Sequence, residues 1–179
     1  MNIIERARHS AYQRLNEYSP DRTLVIIDMQ PIFMQGNEKC IVPAICKLIQ
    51  HAKQNEWPVI VVEFTACGET NASIVEALSG YTHKETVSKS IGDGGPEIIK
   101  CIEKHQTWSL DLLVCVLYGN ECVSDTVAGL FETSDLVEVD VVTDAVYPDY
   151  CSSSEVDEHG QQREREVLVA DICHCKSNV

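Results

Sequence analysis

Leu112-Leu113-Val114-Cys115-Val116-Leu117-Tyr118-Gly119-Asn120-Glu121-Cys122-Val123 is the stretch whose reading decides the fold. Its apolar first half reads as a buried strand over 111–117, a tight turn containing Gly119 ends that strand, and a helix follows over 121–132. Cys122 therefore falls at a helix N-terminus, where the helix dipole and unpaired backbone N–H groups favour thiolate over thiol. Outward from this unit the same alternation repeats. Strands are predicted at 23–27, 58–64, 84–88, 136–142 and 166–172, and helices at 42–55, 71–79, 95–105 and about 153–164, with Pro96 suited to a first turn. Strand–helix–strand units call for parallel pairing. The expected fold is α/β, a three-layer α/β/α sandwich around a six-stranded, mostly parallel sheet.

A parallel sheet with right-handed crossovers lines up the carboxyl ends of its strands along one edge. Asp28 follows the apolar run Leu24-Val25-Ile26-Ile27, Lys89 follows Glu85-Thr86-Val87-Ser88, and Cys122 follows the fourth strand. A carboxylate, an ammonium and a thiol are thus expected to meet in one crevice. An activated nucleophile needs a base within hydrogen-bond reach, and the base needs a third group to hold it.

The composition, 44% hydrophobic and 23% charged over 179 residues, fits one globular domain. That domain is expected to occupy 1–179, with an amphipathic N-terminal helical extension at 2–17 ended by Ser19-Pro20-Asp21. Acidic residues number 28 against 14 basic ones, and the net charge of −14 disfavours nucleic acid and anionic membranes as partners. The longest apolar run, Leu112 to Tyr118, is far short of the roughly 20 residues that span a bilayer. Charges in the first ten residues interrupt the apolar region a signal peptide needs. A cytoplasmic location is expected. The cysteines, nine in all and scattered, read as a reduced set and not as a disulfide framework.

Four pieces stand in order at successive strand ends: Asp28-Met29-Gln30 with Phe33, Lys89, Glu121-Cys122-Val123 with Thr126 and Ala128, and Val141-Val142-Thr143-Asp144-Ala145. In these the chain resembles the isochorismatase-like cysteine hydrolases, the group containing nicotinamidases and N-carbamoyl amidohydrolases, over nearly all of 22–172. The resemblance implies a Rossmann-like sheet and a hydrolase in which Cys122 is the nucleophile, Asp28 the general base that takes the thiol proton, and Lys89 the group that orients Asp28 and stabilises negative charge. Attack on an amide or carbamoyl carbonyl gives a tetrahedral oxyanion, expels ammonia or an amine, and leaves a thioester for water to hydrolyse. The resemblance also implies oxyanion-hole donors in the backbone amides of Tyr118 and Cys122, a cis peptide between Leu117 and Tyr118, and a homo-oligomer acting on a small-molecule substrate. Gln30 and Phe33 either line the substrate pocket or serve loop bonding and packing.

The chain also departs from that pattern. Val116 and Gly119 stand where relatives carry a glycine and a threonine, which implies a differently shaped oxyanion loop. After the second strand, Glu63-Phe64-Thr65-Ala66-Cys67-Gly68-Glu69 holds no histidine, so neither a nicotinamidase-type metal site nor any other metal or cofactor is expected. Isochorismatases that cleave a vinyl ether lack the cysteine, so Cys122 points to C–N bond hydrolysis. Gly92-Asp93-Gly94-Gly95 lacks the dinucleotide fingerprint and does not follow the first strand, which disfavours an NAD-binding oxidoreductase. Cys173-His174-Cys175 has no second ligand cluster to complete a structural zinc site. The alternative from another class is a catalytically inactive protein of this fold that serves as a binding or scaffold protein, and selective reactivity of Cys122 separates the two.

Overall fold

Every residue of Thr23–Ile27 is buried, as a central strand covered on both faces must be. This strand, β1, anchors a computed structural model that describes residues 22–34, 38–116, 122, 124–142, 145 and 164–167. After β1 come α1 (Pro31–Met34), α2 (Glu38–Gln54), β2 (Val59–Phe64), α3 (Ala72–Ala77), β3 (Lys84–Lys89) and α4 (Gly95–His105). They are followed by β4 (Asp111–Val116), α5 (Ser124–Thr133), β5 (Glu138–Val142) and β6 (Glu164–Val167). The strands form one sheet in the order β3-β2-β1-β4-β5-β6, and every pairing is parallel.

That order creates a switch point. From β1 the chain winds outward through β2 to β3, then returns to place β4 on the other side of β1, with Ile27 opposite Val116 at the carboxyl ends. Open α/β sheets bind ligands in the crevice outside such a reversal. Asp28 follows one of the two flanking strands and Cys122 follows the other.

Strand alternation divides the core in two. Leu24, Ile26, Val59, Val61, Leu113 and Cys115 pack against Ile45, Leu48, Ile49 and Ala52 of α2 and Ile74 of α3. Val25, Ile27, Ile60, Val62, Leu112 and Val114 pack against Ile98 and Ile102 of α4 and Val127, Leu130 and Phe131 of α5. The sandwich is therefore held by apolar burial on both faces of the sheet, as its uninterrupted apolar strands anticipated.

At the opposite, N-terminal edge, Arg22 ties three strands together. Its Nε and Nη2 donate to Asp111 Oδ1 at 3.1 and 2.8 Å, and Nη2 also bonds Asp140 of β5. The guanidinium and the Asp140 carboxylate are both buried. Burial works against the Arg22 charge, but the adjacent carboxylates outweigh it and hold the group above its ordinary value.

Some boundaries differ from the sequence reading. Among the described residues the last ladder runs over Glu164–Val167, so it begins before the expected 166; residue 164, placed at the end of a helix by sequence, is in the strand, and 168–172 lie outside the described residues. An edge strand is paired on one side only and does not need an apolar run, so Glu164-Arg165-Glu166 gave no strand signal. Helix α2 begins at Glu38 and not at residue 42, and it carries Pro43 inside with that proline exposed to solvent. The single turn α1 was not anticipated. The N-terminal extension at 2–17, the Leu117–Tyr118 bond, Gly119, Asp144 and most of the expected helix at 153–164 lie outside the described residues.

Helices α4 and α5 approach at a glycine. A Cβ added at Gly95 would sit 2.5 Å from both Gly129 C and Leu130 N, backbone atoms that have no rotamer to yield. Gly95→Ala is expected to force the helices apart and lower stability by about 1–3 kcal/mol, read as a lower urea midpoint at unchanged slope.

Candidate active site

Asp28 leaves β1 in the left-handed region, φ 54°, while its N–H still donates to Val62 O at 2.9 Å and so continues the ladder. Aspartate is among the few non-glycine residues that visit this region readily, and such backbone gathers at functional sites. The side chain is 2% exposed and faces Lys89, whose Nζ lies 2.9 Å from Asp28 Oδ2.

Lys89 is the last residue of β3, paired with Phe64, and its side chain is fully buried. To meet Asp28 it reaches past the end of β2, where its Nζ stands 5.9 Å from the centroid of the Phe64 ring. Its directed hydrogen bond goes to Gly92 O at 2.6 Å. The 2.9 Å approach to Asp28 is a charge contact, because among the described residues neither Asp28 oxygen has a hydrogen-bond partner. A buried carboxylate oriented by a cation at the end of a strand has the placement that a base beside a nucleophile requires.

The Gly92 carbonyl also links this pair to the helix after Cys122. Thr126 of α5 is buried, and its Oγ1 accepts from Gly94 N at 3.1 Å and donates to Gly92 O at 3.4 Å. Gly94 allows the approach, since a Cβ there would press on Lys89 Cδ at 3.2 Å and Val62 Cγ1 at 3.3 Å. Cys122 itself is half-buried just before α5, packs against the core layer that contains Val25 and Ile27, and is not in a disulfide.

Of the residues singled out by sequence, the structure brings Asp28 and Lys89 into contact and puts Cys122 beyond β4, at the same edge of the sheet. Tyr118 lies outside the described residues. Gln30 is buried, and among the described residues its carboxamide bonds backbone: Nε2 donates to Phe64 O at 3.0 Å and Gly68 O at 2.6 Å, while Oε1 accepts from Phe64 N at 2.7 Å. Phe33 packs edge-on to Phe64, with ring centroids 6.3 Å apart. Sequence reasoning passed over Phe64 and Gly92. Phe64 is the final residue of β2, at the edge where Asp28 and Lys89 were sought, and that position was the available signal.

The family model for the isochorismatase domain matches residues 22–167, and the chain belongs to the isochorismatase family. Among curated proteins nothing matches. Among solved structures, the MAR1 ribonuclease of Caenorhabditis elegans is similar at 23% identity and TM-score 0.60, over 70% of this chain and 64% of that one. The chain thus spans somewhat less than two thirds of that relative. The N-carbamoylsarcosine amidase of Thermoplasma acidophilum is similar at 15% identity and TM-score 0.63, over 84% and 97% of the two chains. The YcaC gene product of Escherichia coli, an octameric hydrolase of unknown specificity, is similar at 14% identity and TM-score 0.64, over 86% and 78%. No helix among the described residues is long and apolar enough to cross a membrane.

Proposed function

We propose that this chain is a cysteine-dependent hydrolase that cleaves a C–N bond of a small amide or carbamoyl substrate through a thioester. The observation that carries the reading is the buried Asp28 carboxylate, held by Lys89 and lacking a donor among the described residues, at the switch point where Cys122 precedes its helix. Asp28 takes the Cys122 proton, the thiolate attacks the carbonyl carbon, and the tetrahedral oxyanion collapses as protonated Asp28 hands that proton to the departing ammonia or amine, which leaves Asp28 ionised again. The amides of Tyr118 and Cys122 receive the oxyanion in this scheme. Water then attacks the thioester, with Asp28 as base. Likeness in fold to an N-carbamoylsarcosine amidase supports the substrate class.

Phe33 and Phe64 supply an apolar wall, and Gln30 shapes that wall through the backbone it holds. The same reading takes 1–179 as one domain, cytoplasmic and working as a homo-oligomer, as the octameric relative does.

The test is iodoacetamide alkylation across a pH series, mapped to each cysteine by peptide mass spectrometry, in wild type and Asp28→Asn. Asparagine keeps the shape and tolerates the left-handed backbone, so the variant removes the charge alone. Cys122 is expected to label fastest near neutral pH and to slow by about a hundredfold in the variant, the lower end of what a general base contributes. Labelling of Cys122 no faster than that of its neighbours would instead favour the binding or scaffold protein that the Val116 and Gly119 departures suggest.

A further inference from the structure

We propose that Glu85, Cys101 and His105 form a divalent transition-metal site, of the kind zinc occupies, on the outer strand of the sheet. Cys101 and His105 are one helical turn apart on α4, so they share a face, and Glu85 of β3 meets that face. One ligand atom from each lies within 4.8 Å of the others. Tetrahedral zinc with bonds of 2.0–2.3 Å sets its ligands about 3.5 Å apart, so the direct Glu85–His105 contact has to open while the widest separation in the cluster closes by about an ångström. Glu85 and His105 are partly exposed and have rotamers to do so, whereas Cys101 is 3% exposed and fixed in the core.

Three features distinguish this cluster from a chance meeting of polar groups. Thiolate, imidazole and carboxylate together are the donor set of borderline cations, with the fourth position left to water. The His105 ring is already oriented, stacked on Trp108 at 3.9 Å between centroids and 6° between planes. Lys104 Nζ donates to Glu85 Oε1 at 2.7 Å, while Glu85 Oε2 contacts His105 Nε2, so the carboxylate is held from a second side as metal-bound carboxylates are.

Burial and the nearby Glu85 charge push the Cys101 thiol up to about 11. Hydrogen bonds from Lys104 and His105 hold Glu85 below its usual range. A bound cation displaces the thiol proton to solvent and replaces the direct contact between Glu85 and His105. Sequence reading found no such site because the Cys-x-x-x-His spacing on α4 is silent until β3 brings its carboxylate alongside.

The experiment is titration of the reduced full chain with cobalt(II), followed by the near-ultraviolet thiolate-to-cobalt charge-transfer band. Wild type is expected to show the band at one equivalent. Cys101→Ser should lose it, His105→Gln should bind at least tenfold more weakly, and the double variant Cys173→Ser/Cys175→Ser should match wild type. His105 is partly exposed, so its variant reports binding even if Cys101→Ser folds poorly. Absence of the band in wild type, its survival at full strength in His105→Gln, or its loss in the Cys173→Ser/Cys175→Ser variant would each overturn the site.

Discussion

Lys89→Met is expected to abolish turnover and to destabilise the protein by about 3–5 kcal/mol, because it leaves the Asp28 carboxylate buried without its cation. Both side chains are almost wholly sequestered, so solvent screens little of the loss. Methionine keeps much of the lysine stem, which confines the change to the charge and to the bond that Lys89 makes with Gly92 O. The double variant Asp28→Asn/Lys89→Met should regain much of the stability and none of the Cys122 reactivity. A neutral pair restores electrostatic balance but supplies no base. Urea unfolding and the alkylation rate of Cys122 are the two readouts. A Lys89→Met protein within about 1 kcal/mol of wild type, the size of a surface pair, would mean that the ion pair does not organise this edge of the sheet.

Arg22→Met should cost a similar amount, about 3–5 kcal/mol, since the buried Asp140 carboxylate would lose the guanidinium that it shares with Asp111. Its second readout should differ. Arg22 braces the N-terminal edge of β1, β4 and β5, a full strand length from Asp28, so the folded variant should keep wild-type alkylation at Cys122. Two buried ion clusters of comparable energy at opposite ends of the same strands thus separate stability from reactivity. A drop in Cys122 labelling in folded Arg22→Met would show that strand register, and not only the Asp28–Lys89 pair, sets the thiol environment.

The central strands were legible in the sequence because burial on both faces demands apolar runs, and β1 begins and ends where its run does. Asp28 could be placed beforehand for the same reason, since it stands where an apolar strand stops, whereas Lys89 stands at the end of the short polar strand β3, and parallel topology puts both ends on one edge. What the sequence could not display were contacts set by distance along the chain. The shared carbonyl of Gly92, between Lys89 and Thr126, joins residues on β3, on the loop before α4 and on α5, and no local pattern announces it. Gln30 posed the same difficulty, for an amide that binds backbone and an amide that awaits a ligand look alike in one dimension. The start of β6 escaped because Glu164-Arg165-Glu166 reads as a solvated helix face, although the strand itself was expected from residue 166.

Gln30 is in effect a detachable rung. Its carboxamide both donates to and accepts from Phe64 and holds the Gly68 carbonyl as well, so one side chain fastens the loop beyond β2 alongside the main-chain bonds from Thr65 N to Lys89 O and from Asn71 N to Met29 O. On the reading proposed above, in which Phe33 and Phe64 wall the substrate pocket, a single substitution at Gln30 or a change of loop length retunes what that wall admits while the strands beneath keep their register. The fold then separates an invariant engine from an interchangeable mouthpiece, which is a physical reason why proteins sharing this sheet can diverge in what they accept without first redesigning their cores.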